Sequence, residues 1–490
     1  MADLQSTNRT ALAKVREVTF GVTPATPAFK AIRNTSSSLN ANPRTIISEE
    51  IRADRQVTDL ILVGLSAGGD IGGELSFLAH DDDFEEALQG TWSNQASITV
   101  VTTDIEISDM TATTITVSAG GTNFKLGMLA STTGFTTAAN NKVARVASST
   151  GTTIVFPAST YTIEAAPIPV GASVKQVGFQ GAAADIVATI TGGNALTSTV
   201  LDFTTMGISP GEWVKIGGSV VGEQFATAAN NGYARVSAVT ATRLSFSIVP
   251  TGWSADTGTG KTISVFTGDF LSNASTKRSN TIERQYLDHA PVSYEYLRGM
   301  TLDSLLISLN QQAIVQLTKT YTGKDAVIQT TRFAGATDVA SPTYDVMNTT
   351  ADVGDLSIDG VTVTGPNFIM AATFQINNNI RQQTGIGSLG AVGTGNGEFN
   401  VTGTLNTYFG DKTIYDKVLA NTLTSVSCRV GATDVNKPSY LIDCPSIKYS
   451  AGAPGITGKN QDIMITGTYQ AFMHATLLFT MSITRFWYLP

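Results

Sequence analysis

Apolar and polar residues alternate over long stretches of the chain, which is the signature of half-buried strands. In Asp70-Ile-Gly-Gly-Glu-Leu-Ser-Phe-Leu78 the period of two sets Asp70, Gly72, Glu74 and Ser76 on one face, with Ile71, Gly73, Leu75 and Phe77 on the other. Phe399 to Leu405 behaves likewise, with Asn400, Thr402, Thr404 and Asn406 opposite Phe399, Val401, Gly403 and Leu405. Both strands lead into a short amphipathic helix: Asp81-Asp82-Asp83 precedes Phe84 to Leu88, and Gly410-Asp411 precedes Tyr415 to Leu419. Backbone N–H groups at a helix start favour anions, so the three aspartates are expected to cap the first helix. This echo predicts that the outer parts of the chain, 1–92 and 268–490, are two halves of one duplicated β fold.

Between them lies a plainer repeat. Phe135 to Val146 reads FTTAANNKVARV, and 90 positions on Phe225 to Val236 reads FATAANNGYARV, with nine of twelve positions identical. The likeness continues from Thr150 to Phe156 against Thr240 to Phe246. Asn140-Asn141 and Asn230-Asn231 mark turns between strands. The pattern predicts two tandem small β modules of sandwich or barrel type, at 93–180 and 181–267, inserted into the outer fold where chain ends lie close together.

Composition agrees with a mainly β protein. Only 14% of residues are charged, against roughly 25% in an average soluble protein, and 46 glycines help fill the gap. The formal charge of −8 is unevenly spread: 93–267 holds eight basic and nine acidic residues, leaving 23 of the 31 basic and 30 of the 39 acidic for the outer fold. An acidic chain without a Lys/Arg run does not grip phosphate, so contact with DNA is expected to be non-adhesive. The longest apolar stretch, Phe472 to Thr480, is interrupted by His474 and Thr476 and suits a buried strand, which predicts no membrane partner. Met1 to Gln5 lacks the basic start and apolar run of a secretion signal, which predicts a protein made and kept in a cytoplasm. Cys428 and Cys444 are expected to be buried free thiols.

Catalytic patterns are scarce. His80, His289 and His474 are isolated, no metal or cofactor motif occurs, and the only dense titratable group is His80 with Asp81, Asp82 and Asp83. The glycines of 385–390 and 393–397 precede neither Lys-Ser/Thr nor a helix and read as a loop between strands. Adjacent acidic pairs, Glu49/Glu50 and Glu85/Glu86, diverge and cannot flank one glycosidic bond, so no enzyme is expected. Trp213, Tyr233 and Trp253 offer a different reading, in which the inserted modules stack on host-surface glycans; core packing is the commoner use of such rings. In the mixed-charge run Ile46 to Gln56, Glu49, Glu50, Arg52, Asp54 and Arg55 are candidate assembly contacts, or else a solvated hairpin arm. Alternating strands from several subunits, closed into a barrel, would enclose a wet, weakly acidic channel; an ordinary solvent face is the other reading.

Several stretches carry a resemblance: SEEIRADRQVTDL from Ser48, GGDIGGELSF from Gly68, DDFEEALQGTW from Asp82, the glycine-rich stretch from Ile376 to Phe409, and YDKVLA from Tyr415. Together they resemble the tail tube, or major tail, proteins of long non-contractile-tailed bacteriophages. The likeness covers most of the outer parts and not the two repeat modules. It implies a β-sandwich core with flanking helices, assembled into hexameric rings that stack in the virion. DNA would pass through the lumen without specific binding, and tape measure and tail terminator proteins would be partners. Asp70, Glu74, Ser76, Asn400, Thr402 and Thr404 are then candidates for the lumen face, and Glu49, Glu50, Arg52, Asp54 and Arg55 for contacts between rings. Net acidity in the core would let DNA slide.

Overall fold

The computed structural model describes residues 4–102, 106–431, 436–456 and 458–490. It is mainly β, with two short α helices, and no helix among the described residues is long and apolar enough to cross a membrane.

The outer fold contains the same six-strand unit twice. The first comprises β1 (Thr10–Arg16), β2 (Asn40–Ile47), β3 (Leu60–Glu74), α1 (Asp81–Leu88), β4 (Asn280–Tyr286), β5 (Ser293–Asn310) and β6 (Gln316–Gly323). The second comprises β7 (Val353–Ile358), β8 (Ile369–Asn377), β9 (Asn400–Tyr408), α2 (Thr413–Leu419), β10 (Thr424–Gly431), β11 (Ser439–Ala451) and β12 (Met464–Ala471). In each unit the second strand pairs with the third, the third with the sixth, the sixth with the fifth, the fifth with the fourth and the fourth with the first, all antiparallel. Even the irregularities recur. The β5–β6 ladder bulges between Leu302 and Ser304 and the β11–β12 ladder between Tyr449 and Ala451; the β4–β5 ladder bulges between Asn280 and Ile282 and the β10–β11 ladder between Thr424 and Val426. A bulge re-aims a strand, so two coincident bulges mean two copies of one bent sheet.

The long strands β5 and β11 bend from one layer into another: the first half of each pairs with β4 or β10, the second half with β6 or β12. Between the layers lies a single core that runs through both units, including Ile71, Leu75, Leu305, Ile307, Phe374, Ile376, Val401, Leu405 and Tyr469. Duplication is therefore present, but its division differs from the 1–92 and 268–490 expected. The inserted segment opens inside the first unit, between α1 and β4, so that unit is closed only at Gly323.

The inserted segment also differs from two separate modules. Ser173–Gln180 of the first copy pairs with Ser264–Phe266 of the second, which joins strands of both copies in one ten-stranded sheet, while Ile107–Met110, Thr114–Val117, Ser148–Ser149 and Thr153–Val155 of the first copy form a four-stranded sheet over the same core. What the repeated asparagines do is visible in both copies. Asn141 accepts from the Phe135 N–H and donates to its carbonyl, each at 2.9 Å, and Asn231 treats Phe225 in the same way at 2.9 and 3.0 Å. Asn140 clamps the backbone of Thr162, and Asn230 that of Ser254. These side chains replace ladder bonds where the chain turns, which is why AANN returns unchanged. Asn230→Ala is expected to remove both clamps on the half-buried Ser254 backbone and to cost about 1–3 kcal/mol, read as a lowered denaturant midpoint with an unchanged slope.

Candidate tube wall and assembly surfaces

The second, third, sixth and second-half fifth strands of the two units run side by side in the order β2, β3, β6, β5, β8, β9, β12, β11. One face of these eight strands buries the core; the other is polar. Thr318, Leu306, Gln375, Thr402, Gln470 and Lys448 stand in one row by register, and Glu74, Gln316, Ser308, Thr373, Thr404 and Thr468 in the next. Hydrogen bonds stitch the rows: Thr373 Oγ1 to Thr404 Oγ1 at 2.9 Å, Gln470 Nε2 to Asn400 Oδ1 at 2.6 Å, and Thr320 Oγ1 to Asp70 Oδ1 at 2.7 Å.

Asp70 is exposed, and Glu74, Asn400, Thr402 and Thr404 are half-buried on this face. Ser76 does not join it. β3 ends at Glu74, and Leu75, Ser76 and Phe77 are all fully buried as the chain tucks beneath the sheet, so alternation no longer applies. The face is also less acidic than the charge count suggested. Glu74 and Lys448 are the charged side chains in these two rows and Asp70 stands in a further row, opposite Thr320, while Asp81, Asp83, Glu86, Asp269, Glu283 and Asp443 are buried elsewhere.

Those buried acids fasten layers together. The aspartates of α1 make no side-chain cap; His80 occupies the cap position. Asp83 instead receives Lys14 at 2.6 Å, Lys319 at 2.8 Å and His80 Nδ1 at 3.1 Å, with the Tyr321 hydroxyl at 3.2 Å, while Lys14 also reaches Glu86 at 2.8 Å. Burial opposes ionisation of Asp83, but Lys14 and Lys319 outweigh it and hold the carboxyl well below its usual range. Burial, aided by Lys319, lowers the His80 pKa against the opposing pull of Asp83. Asp81 meets the Tyr440 hydroxyl at 2.5 Å and the Arg485 guanidinium. The expectation of a cap missed these partners because they lie far along the chain. One signal was available: Lys319 sits at an inward position between Leu317 and Tyr321, where alternation calls for an apolar residue.

The inserted segment is locked onto the outer fold. Asp269 accepts from Lys175 at 3.1 Å, Arg485 at 2.5 and 3.0 Å, Trp487 Nε1 at 2.5 Å and the Gln95 N–H at 2.7 Å. Arg235 meets Asp443 at 3.1 Å. Around these pairs Trp213, Phe266, Leu441 and Phe486 form a small apolar cluster. Trp213, only 3% exposed, is thus covered by the outer fold and cannot stack on a sugar. Tyr233 is half-buried beside Phe486, and Trp253 is half-buried against Phe246. Glu212, in the same junction, is fully buried and accepts from the Ser209 and Gly268 N–H groups; burial pushes its pKa up to about 8. A carboxyl raised on folding binds its proton more tightly in the native state. Its contribution to stability therefore falls as pH rises from the ordinary carboxylate range through about 8. The melting temperature is expected to decline from pH 6 to pH 9, and Glu212→Gln to flatten that slope.

Ahead of the wall, β2 and the first half of β3 continue as a two-stranded arm, paired from Asn42↔Ser66 to Ile47↔Leu60. Glu49, Glu50, Arg52, Asp54 and Arg55 are exposed at its tip, where Arg52 grips Asp54 at 2.7 Å. Ile46, Ile47, Ile51, Val57, Leu60 and Ile61 are exposed along it, Ile51 at 99%. The glycine-rich stretch occupies the same place in the second unit: Arg381–Gln383 pairs with Gly393–Gly395 as a shorter hairpin, and the Leu389 carbonyl accepts from the Leu65 N–H at 2.7 Å. Cys428 and Cys444 are buried on neighbouring strands and form no disulfide.

A duplicated, bent β unit with a polar wall, protruding arms and layers held by buried ion pairs defines a building block. Residues 7–211 and 220–471 match the family model of the phage tail tube protein, and the chain belongs to that family. The match runs through most of the inserted segment and is wider than the likeness carried by the outer motifs. No curated protein matches the chain. The protein is accordingly a structural component of a phage tail that self-assembles into its tube and resides in the virion.

Proposed function

We propose that copies of this chain close into rings lined by the polar eight-strand face, and that the rings stack through the β2–β3 arms into the tube of a long non-contractile tail. DNA crosses the lumen during ejection into the host. The carrying observation is the wall itself: eight consecutive strands faced mainly with Ser, Thr, Asn and Gln, whose outer edges pair with no strand among the described residues. Open edges are templates for pairing, and closing the sheet into a barrel removes them. Phosphates passing such a wall meet no array of cations, since Asp70 and Glu74 offset Lys448, so the strand slides rather than binds.

The ring repeats the tube fold six times around the lumen, as the family resemblance implies for its hexamers. Tape measure and tail terminator proteins are the expected partners, assembly takes place in the host bacterial cytoplasm, and the role needs neither a cofactor nor a catalytic group. The inserted segment is attached at the first half of β11 and at Ser482–Phe486, which contribute nothing to the polar face, so it projects outward. Burial of Trp213 favours this reading over glycan capture by the inserted segment.

Electron microscopy of the purified protein with its tail initiators should show hollow tubes of stacked rings with lobes on the outside. A monomer that persists at high concentration under those conditions would overturn the proposal.

A further inference from the structure

We propose that three chains, rather than six, close each ring, and that the seam between neighbours pairs Ser37–Asn42 of one copy with Ala451–Ile456 of the next. The inference rests on the tube reading above and concerns how the tube is closed.

Each chain already contains one seam between two tube units. There Ser304 through Asn310 of β5 pairs with Asn377 through Ala371 of β8. The matching registers of the two units say where the next seam must form. Ala451 follows the β11–β12 bulge as Ser304 follows the β5–β6 bulge, and Gly455 faces Met464 as Ser308 faces Gln316. On the other side, Ala41 opposite Ala67 corresponds to Ile376 opposite Val401. Ala451 therefore corresponds to Ser304 and Asn42 to Asn377, which sets Ala453 against Asn40 and Pro454 against Leu39.

Both edges are bare in the single chain. Ser37, Ser38, Asn40, Asn42, Ala453 and Ile456 are exposed, and among the described residues no strand pairs with the outer side of either segment. Ile456 is 86% exposed, whereas Leu309, its counterpart at the formed seam, is 4% exposed. An aliphatic position buried in one seam and bare in the other is what a missing neighbour leaves. Proline opposite Leu39 costs no hydrogen bond, because the Leu39 carbonyl already accepts from Arg284 at 2.5 Å.

The count follows from the barrel. Eight wall strands per chain, at about 4.8 Å spacing and a tilt of about 40°, give backbone diameters of roughly 32, 48 and 96 Å for two, three and six chains. Side chains fill about 5 Å on each side. Two chains leave a bore that grips a duplex, six leave a wide void, and three leave a duplex with its hydration.

The test is Asn40→Cys with Ala453→Cys in the full chain, oxidised after tube assembly; native Cys428 and Cys444 are buried. A non-reducing gel is expected to show a ladder that stops at three chains. A ladder reaching six would overturn the count, and tubes without cross-links would overturn the register. Electron cryo-microscopy of unaltered tubes decides the count independently of the variant, by three or six outer lobes per ring. Absence of any tube from the unaltered protein would instead sink the tube reading itself.

Discussion

Asp83→Ala is expected to destabilise the outer fold by about 3–5 kcal/mol, the usual cost of removing one partner from a buried ion pair. The carboxylate lies between Lys14 and Lys319, both buried, and Glu86 would remain as the carboxylate in contact with Lys14. Lys319 would lose the carboxylate it is paired with, and the Tyr321 hydroxyl and His80 would each lose an acceptor. Because α1 joins β1 to β6 through these contacts, the loss should appear as a lowered denaturant midpoint for the outer fold. The pH dependence has a definite sign. Asp83 is held below its unfolded value, so its stabilisation is complete above the ordinary carboxylate range, near 3.9 when unfolded, and disappears as pH falls through the lower native value. The native protein should therefore lose stability between those limits, and Asp83→Ala should show a flatter acid limb. An unchanged midpoint would mean that Lys14 and Glu86 suffice.

Replacing residues 48–58 by a tight turn is expected to abolish tube formation while leaving the fold and single rings intact. The arm packs little of its own surface: Ile46, Ile47, Ile51, Val57 and Leu60 are all at least half exposed. A ribbon with aliphatic side chains bare on both faces is unusual for a surface and marks a contact. Covering each such side chain contributes about 1.5–3 kcal/mol, and every chain in a ring would contribute an arm, so the summed effect is all or none. Size-exclusion chromatography and electron microscopy read it directly: ring-sized particles are expected in place of tubes. Normal tubes from the shortened chain would place stacking elsewhere.

Much of the wall was legible as alternation, because a strand with one buried face writes its period into the sequence. Asn400, Thr402 and Thr404 follow that period in the structure; Ser76 does not, since periodicity cannot say where a strand stops. The helix echo exposed the duplication, but the remaining correspondences reside in register and in two bulges, which constrain backbone pairing and leave little trace in residue identity. Asp81 and Asp83 read locally as capping residues, and their partners Lys14, Lys319 and Arg485 lie outside any local window. The AANN turns were legible as a repeat, yet fusion of the two copies depends on one strand pair, Ser173–Gln180 with Ser264–Phe266, that carries no signature of its own. Trp213 could be assigned to a core only once the outer fold was seen to cover it.

In a ring closed as proposed, the position of the inserted segment would give the tube an alternating exterior. In the first unit it fills the connection from α1 to β4, whereas in the second the chain passes from Leu419 at the end of α2 to Thr424 at the start of β10 with four residues between. Around such a ring every decorated unit would be followed by an undecorated one. The vacant positions would give each lobe lateral clearance, so that the outer layer could vary in size or sequence without crowding the wall beneath it.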